Sequence, residues 1–495
     1  MNIDYSQFLN MLPEASLMAI LVITFLVDFF TAKKPADTVD GNPRKWFNCL
    51  VCVLMLIHIC LNIAPTAPAT AFGGMYSTGA AQGVIKTILA TGTLIVLIQA
   101  REWLSRPDTA FKEGEFYVLV FSTLLGMNMM VSASHFLLFF LGLEMASIPM
   151  ACLVAFDKYR HNSAEAGAKF ILTATFSSGV MLYGTSFLYD ACGTLYFDDV
   201  AQKISATPMM IMGMVFFFSG LAFKISLVPF HFWTADSYQG APTTVTGYLS
   251  VVSKGAAAFA LCCILMKVFA PISQYWQYML YIVIVLSITV ANLFAIRQKD
   301  LKRFMAFSSI SQAGYIVLAI VGNTTMSISA LSFYVLVYVV ANMGVFTIIS
   351  AVEEHNNGVV DMDSYNGFYK TNPKLSMLMT LSLFSLGGIP PFAGMFSKFF
   401  VFMASVKGAD LLTTNGVLAY STMFIALINT VISLYYYLLI VKAMYIKKSD
   451  TPIARFSSDG YTQIGLALCA IGVVFAGILS QIYQYFDSFS LGLMP

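Results

Sequence analysis

The feature that most constrains this chain is a succession of apolar runs, each about as long as a lipid bilayer is thick. A hydrocarbon core about 30 Å across is crossed by about 20 helical residues. On that scale spans are predicted near 12–31, 47–64, 80–100, 116–131, 136–156, 166–189, 209–230, 246–266, 276–296, 304–321, 327–350, 376–403, 415–441 and 463–484. The runs are continuously apolar and do not alternate, so an outer-membrane barrel is excluded. Composition agrees. Hydrophobic residues make up 58% of the 495 and charged residues only 11%, less than half of the roughly 25% that soluble domains use to cover their surface. The fold class is an all-α polytopic membrane protein of about 14 transmembrane helices.

Positive charge tests the count, because cytoplasmic loops collect Lys and Arg. Loops after odd-numbered spans hold 19 of them; loops after even-numbered spans, with both chain ends, hold only Lys203, Lys267 and Lys407. That asymmetry predicts both termini on the non-cytoplasmic side. The opening MNIDYSQF lacks a basic n-region, so no cleaved signal peptide is expected. A net charge of +2 without a long basic run offers nucleic acid no track. Cys49 and Cys52 form a lone CxxC with no second pair, so neither zinc nor an iron–sulfur cluster is expected.

The remaining five of the 27 basic residues are Lys86, Lys169, Lys224, Lys254 and Lys398, all within predicted spans and all lysines. Glu144 is the one carboxylate deep in a span, whereas Glu14 and Asp28 lie near the ends of the first. An ionisable group at the bilayer centre costs at least about 2.5–3.5 kcal/mol, so each is a functional candidate.

The densest region is KISLVPFHFWTADSYQGAPTTVTGYLSVVSKGAAAFA, residues 224–259. Pro229 has no amide hydrogen, and its ring clashes with the carbonyl four residues back, that of Ile225. A buried ammonium at Lys224 beside a freed carbonyl points to a broken helix lining a wet cavity; the alternative is a packing kink with Lys224 snorkelling. His231, seven residues on, falls on roughly the same helical face and is a candidate proton relay. Lys254 is flanked by Ser253, Gly255 and three alanines, small neighbours that let helices close around it. Asp236 and the GAPT turn at 240–243 read as structural, capping or terminating helices.

A second interrupted run, SLGGIPPFAGMFSKFFVF (385–402), carries Lys398. Two Pro-broken helices, one in each half and each with a lysine, match the mark of an inverted-repeat transporter site. Glu144 sits mid-span with Pro149 after it, and Lys169 opens the sixth span. Lys86 reads as a snorkelling anchor at the start of the third. His58 and Met-rich stretches such as MNMMVSASH read as packing.

Lysine suits proton handling for an energetic reason. An amine with an ordinary pKa of about 10.4 falls by about 3–5 pH units on full burial, toward half-protonation near neutrality. A carboxylate about 4 Å away contributes about 4 kcal/mol to its charged form at an effective dielectric of 20. Moving Glu144 toward or away from a lysine would load or discharge its proton. Arginine cannot do this, because its guanidinium stays protonated.

These segments resemble the antiporter-like membrane subunits of respiratory complex I, the proton-pumping NADH:quinone oxidoreductase. The likeness rests on FHFWTADSYQGAPTTVTGYLSVVSK (230–254), RQKDLKRFMAFSSISQAGY (297–315) and GGIPPFAGMFSKF (387–399) and extends over nearly the whole chain. It implies fourteen helices with two inverted five-helix repeats and broken helices 7 and 12. The chain divides accordingly into an N-terminal three-helix segment (1–115), a first repeat (116–270), a second (271–445) and a C-terminal helix (446–495). By the same resemblance Glu144, Lys169, Lys224, Lys254 and Lys398 are the proton-transfer residues. Among the subunit types it is most similar to N. The L type carries a long lateral helix that this sequence lacks, and in the M type a glutamate stands where Lys398 is.

No nicotinamide fingerprint, flavin motif or cluster ligands occur, so the resemblance places quinone, FMN and iron–sulfur clusters in partner subunits. The expected setting is a bacterial plasma (inner) membrane, beside a neighbouring antiporter-like subunit and the quinone-module subunits. The competing readings are a subunit of a multisubunit cation/proton antiporter, without redox coupling, and a scaffold whose lysines only orient helices.

Overall fold

A computed structural model describes residues 5–32, 44–64, 67–356, 358–449 and 452–490. The chain ends, expected on the non-cytoplasmic side, and Lys33 and Lys34 of the first basic loop lie outside the described residues. The described residues fall into two compact units. One holds those up to 224, 255–273 and 489 onward; the other holds 225–254 and 274–488.

The chain is a multi-pass membrane protein. Among the described residues, twelve helices of 18 residues or more are apolar enough to cross a membrane, beside the shorter apolar helices Trp46–Asn62 and Ala393–Val406. In chain order the first unit begins with α1 (Leu12–Thr31), α2 (Lys45–Asn62), α3 (Ala80–Leu104), α4 (Glu113–Val131), α5 (Phe136–Val154), α6 (His161–Cys192), α7 (Phe197–Lys203) and α8 (Pro208–Ile225). A short antiparallel hairpin, β1 (Ala69–Ala71) with β2 (Tyr76–Thr78), joins α2 to α3. After the chain passes through the other unit, α11 (Lys254–Lys267) returns to this one from Gly255 onward. α4 and α5 pack closely because Gly126 and Gly142 face across them. A Cβ on Gly126 would stand 2.5 Å from the Ala146 nitrogen, and one on Gly142 would stand 2.7 Å from that of Met130. Small residues here let two membrane helices approach backbone to backbone, which fixes the helix that carries Glu144.

The second unit holds α9 (Phe232–Gly240), α10 (Thr243–Tyr248), α12 (Ser273–Ala295), α13 (Leu301–Val321), α14 (Thr325–His355), α15 (Phe368–Thr371), α16 (Pro373–Gly387), α17 (Ala393–Val406), α18 (Thr414–Tyr445), α19 (Gly460–Ile478) and α20 (Ser480–Ser490). α13 is its centre, buried over its whole apolar window and packed against α9, α14 and α17. The Asp300 side chain caps it by accepting from the Arg303 amide at 2.8 Å, which satisfies one of the orphan donors of the first turn.

Both expected interruptions occur. α8 stops at Ile225, and the backbone is non-helical through 226–231, with Ser226 at φ +70°. Ile225 is the residue whose carbonyl the Pro229 ring would strike in a continuous helix. The second run splits into α16 and α17 across 388–392. A third irregularity was not legible: the span expected as one helix over 246–266 contains a π-helical stretch, Leu249–Ser253, directly before Lys254. Pro149, in contrast, sits inside α5 without ending it. The GAPT turn separates α9 from α10 as expected, but Asp236 caps neither: it lies inside α9 and accepts from Arg303 Nη1 at 2.7 Å, a pairing across elements that spacing alone does not show.

Candidate functional site

Three of the five intramembrane lysines are buried at helix irregularities. In the first unit, Lys224 occupies the penultimate position of α8 and is 4% exposed. Its Nζ donates to Ser147 Oγ at 2.8 Å. Ser147 stands one turn beyond Glu144 on α5, and its own hydroxyl donates to the Leu143 carbonyl at 2.6 Å. Glu144 Oε1 is buried with no hydrogen-bond partner. A small cavity of about 10 Å³ adjoins the ammonium, lined by Ser147, Ser177, Ser178 and Gly220 among others. Hydroxyls around a small void are the setting in which a water can be held, because it needs two to four polar partners.

In the second unit, Lys254 follows the π-helical stretch and is 1% exposed. π-bulges recur at functional sites because they re-aim side chains within a helix. Lys254 Nζ donates to Ser309 Oγ at 2.7 Å and lies 5.4 Å from the Tyr238 ring centroid. Ser309 also accepts from Tyr338 Oη at 3.0 Å and lies 3.3 Å from Tyr238 Oη.

Lys398, on α17, is buried in the same unit and donates to the Gly387 carbonyl at 3.3 Å. Gly387 ends α16, so the ammonium meets the negative, carbonyl-bearing end of a half-helix. Gly388 turns the chain there at φ +85°, and a Cβ on it would lie 3.2 Å from Lys398 Cδ. Beside this amine is a second small cavity of about 10 Å³, lined by Gln312, Tyr334, Tyr338, Ser385 and Ser397 among others. Tyr338 therefore touches both places: it bonds the serine that holds Lys254, and it lines the cavity at Lys398. Gln312 and Tyr334 are joined by a short hydrogen bond from Tyr334 Oη to Gln312 Oε1, and Gln312 Nε2 donates to Tyr437 Oη at 3.1 Å.

The other expected positions fare differently. Lys169 is 45% exposed and pairs with Glu165 Oε1 at 2.7 Å, one turn back on α6; the structure does not bring it to Lys224. His231 is buried and its Nδ1 lacks a hydrogen-bond partner. The seven-residue spacing from Lys224 no longer sets a common face, because the helix ends between them. Lys86 corrects its reading as a snorkelling anchor. It is 1% exposed and ion-paired with Glu14 Oε1 at 2.6 Å, because α1 and the hairpin close over it before its stem can reach an interface. His58 is likewise more than packing, with Nδ1 2.9 Å from Ser16 Oγ.

Ser147, Ser309, Tyr338, Gln312 and Tyr334 were not singled out from sequence. A hydroxyl or amide in a span looks like ordinary helix glue until its partner is known. The available signal was SSISQ in α13 together with the one-turn spacing of Tyr334 and Tyr338, a polar stripe in a helix pair otherwise apolar.

Comparisons with known proteins agree with this arrangement. A family model described as NADH:quinone oxidoreductase/Mrp antiporter, TM, matches residues 133–426. The chain is 55% identical to NADH-quinone oxidoreductase subunit N of Phocaeicola vulgatus over 97% of this chain and 98% of the relative. It is 48% identical to the protein of that name from Azobacteroides pseudotrichonymphae over 99% of each. Among solved structures, a chain of respiratory complex I from Thermus thermophilus superposes with a TM-score of 0.77 at 27% identity, covering 95% of this chain and 97% of that one. A chain of the Mrp complex from a Dietzia species shares the fold, with a TM-score of 0.80 at 18% identity over 96% of each. With more than half its length matched by the family model and near-complete overlap with relatives at 55% and 48% identity, this chain belongs to the NADH:quinone oxidoreductase/Mrp antiporter family, as an antiporter-like membrane subunit of the complex I type.

Proposed function

We propose that the chain moves protons across a bacterial inner membrane as a non-redox subunit of NADH:quinone oxidoreductase, with Lys224, Lys254 and Lys398 as proton-holding amines and Glu144 as the carboxylate that biases Lys224. The observation that carries the reading is that each amine is buried beside a helix irregularity and hydrogen-bonded to a hydroxyl or carbonyl oxygen. A permanently charged structural lysine would be expected to hold a close carboxylate, since an unpaired buried charge is strongly destabilising. A hydroxyl serves an amine in either protonation state, as acceptor for the ammonium and donor to the neutral nitrogen.

Quinone, FMN and iron–sulfur clusters would belong to partner subunits, whose quinone chemistry shifts the balance of charge around Glu144. Lys169, exposed on α6, would stand where a neighbouring subunit can pair with it, and His231 would exchange protons at the break in the helix. The two repeats, 116–270 and 271–445, would each contribute one broken helix with its lysine. The similarity of sequence to complex I subunits favours this reading over the cation/proton antiporter.

The test is Lys224→Ala in the assembled complex. The rate of proton pumping should fall by roughly 10²-fold, the low end for loss of a positioned proton-transfer group. Unchanged pumping at normal assembly would remove Lys224 from the path.

A further inference from the structure

A buried acid–amine pair lies in the N-terminal helices, outside residues 133–426 where the family model matches. Glu14 is the third residue of α1 and Lys86 the seventh of α3. They meet at 2.6 Å between Oε1 and Nζ, with exposures of 2% and 1%. Tyr76, on β2 and with no exposed surface, closes a ring. Its hydroxyl donates to Glu14 Oε2 at 2.7 Å and accepts from Lys86 Nζ at 3.0 Å. His58 on α2 is the other titratable group on which both charges act; it is held by Ser16 at 2.9 Å and Asn62 at 3.3 Å. Thr78 and Ser132 face the Tyr76 hydroxyl.

We propose that Glu14, Tyr76 and Lys86 form a proton-exchanging site of this chain, separate from the amines of α8, α11 and α17. In one direction the Lys86 N–H bond breaks and a Glu14 O–H bond forms through the Tyr76 hydroxyl, which gives up its own proton to the carboxylate as it receives one from the ammonium. The products are a neutral amine and a neutral carboxylic acid. The summed charge is zero before and after, so the step strands no net charge in an apolar surrounding. The cost of burying two ions from water favours the neutral form, and their mutual attraction favours the ionic one. Two opposed terms of similar size make such a pair responsive to a nearby charge, and one further proton from His58 or water would leave the ammonium beside a protonated acid. A clamp that only joined α1 to α3 would gain as much from apolar packing and would not need the bridging phenol. That the proton so held is cargo rests on the function proposed above; its exchange does not.

The test is infrared difference spectroscopy of the whole assembled complex in lipid nanodiscs, taken between two pH values without turnover. The protonated-carboxyl C=O stretch should include a component lost in Glu14→Gln and shifted in Lys86→Gln. Where a single substitution prevents assembly, the double variant E14Q/K86Q removes both charges together and should lose the same component. A spectrum of Glu14→Gln, or of the double variant, superimposable on the unsubstituted complex would overturn the proposal and leave the cluster a static clamp. Because the readout needs no pumping, it stands or falls independently of the Lys224→Ala result.

Discussion

At the scale of single residues, Lys254 and Tyr338 meet at one hydroxyl. Lys254 reaches Ser309 at 2.7 Å, and Tyr338 reaches the same oxygen at 3.0 Å from the other side. One serine hydroxyl thus joins an amine to a phenol that also borders the Lys398 cavity. Lys254→Arg should discriminate charge from titration. An arginine retains the positive charge but does not deprotonate, so pumping measured in proteoliposomes should fall by roughly 10²-fold, as for loss of any positioned proton-transfer group. Pumping maintained in that variant would mean that only the charge of Lys254 matters. Tyr338→Phe removes a hydroxyl and no packing carbon. It should slow proton transfer in the same assay by less than Lys254→Arg, with subunit assembly unchanged on native gels. The lysine was legible from sequence because it is an ion in an apolar run. The tyrosine was not, because a phenol in a span is common at interfaces and in cores.

Helix breaks are the corresponding feature at the scale of elements. α8 ends where Pro229 forbids its continuation, and α16 ends at a glycine pair whose second member is left-handed. Gly388→Ala should lower thermal stability of the purified complex, since a left-handed backbone costs a residue with a Cβ about 1–2 kcal/mol, and the new methyl would press on Lys398. Pro229→Ala restores an amide and relieves the ring clash, which permits α8 to run past Ile225. Cross-linking by engineered cysteines across 226–231 should then report helical spacing together with reduced pumping; unaltered spacing would place the cause of the break in tertiary packing. Both interruptions were readable because proline and glycine act locally. The π-helical stretch at Leu249–Ser253 was not, since none of those residues favours it by itself.

At the scale of the whole molecule, the question is which end of the bundle faces the cytoplasm. The uneven distribution of Lys and Arg predicts that the loop at 442–459 is cytoplasmic and the loop at 190–208 is not. A cysteine at exposed Lys448 should therefore be labelled by a membrane-impermeant maleimide only in inverted vesicles, and one at exposed Ser205 only in right-side-out vesicles or spheroplasts. The opposite pattern would invert the direction of transport proposed here.

By itself the sequence determined the membrane class, the approximate placement of the spans, the positions of both broken helices and which lysines fall within apolar runs. Each of these follows from short-range physics: the thickness of hydrocarbon, the missing amide of proline, the cost of an ion in lipid. Only the tertiary structure decided what each charge meets. It put Lys169 on an exposed helix face, drew Lys86 into a 2.6 Å pair with a glutamate more than seventy residues away in sequence, and set Ser309 between Lys254 and Tyr338. The reason is that burial and pairing depend on which helices pack together, and in an apolar chain nearly any helix face is compatible with either lipid or protein until a partner is chosen.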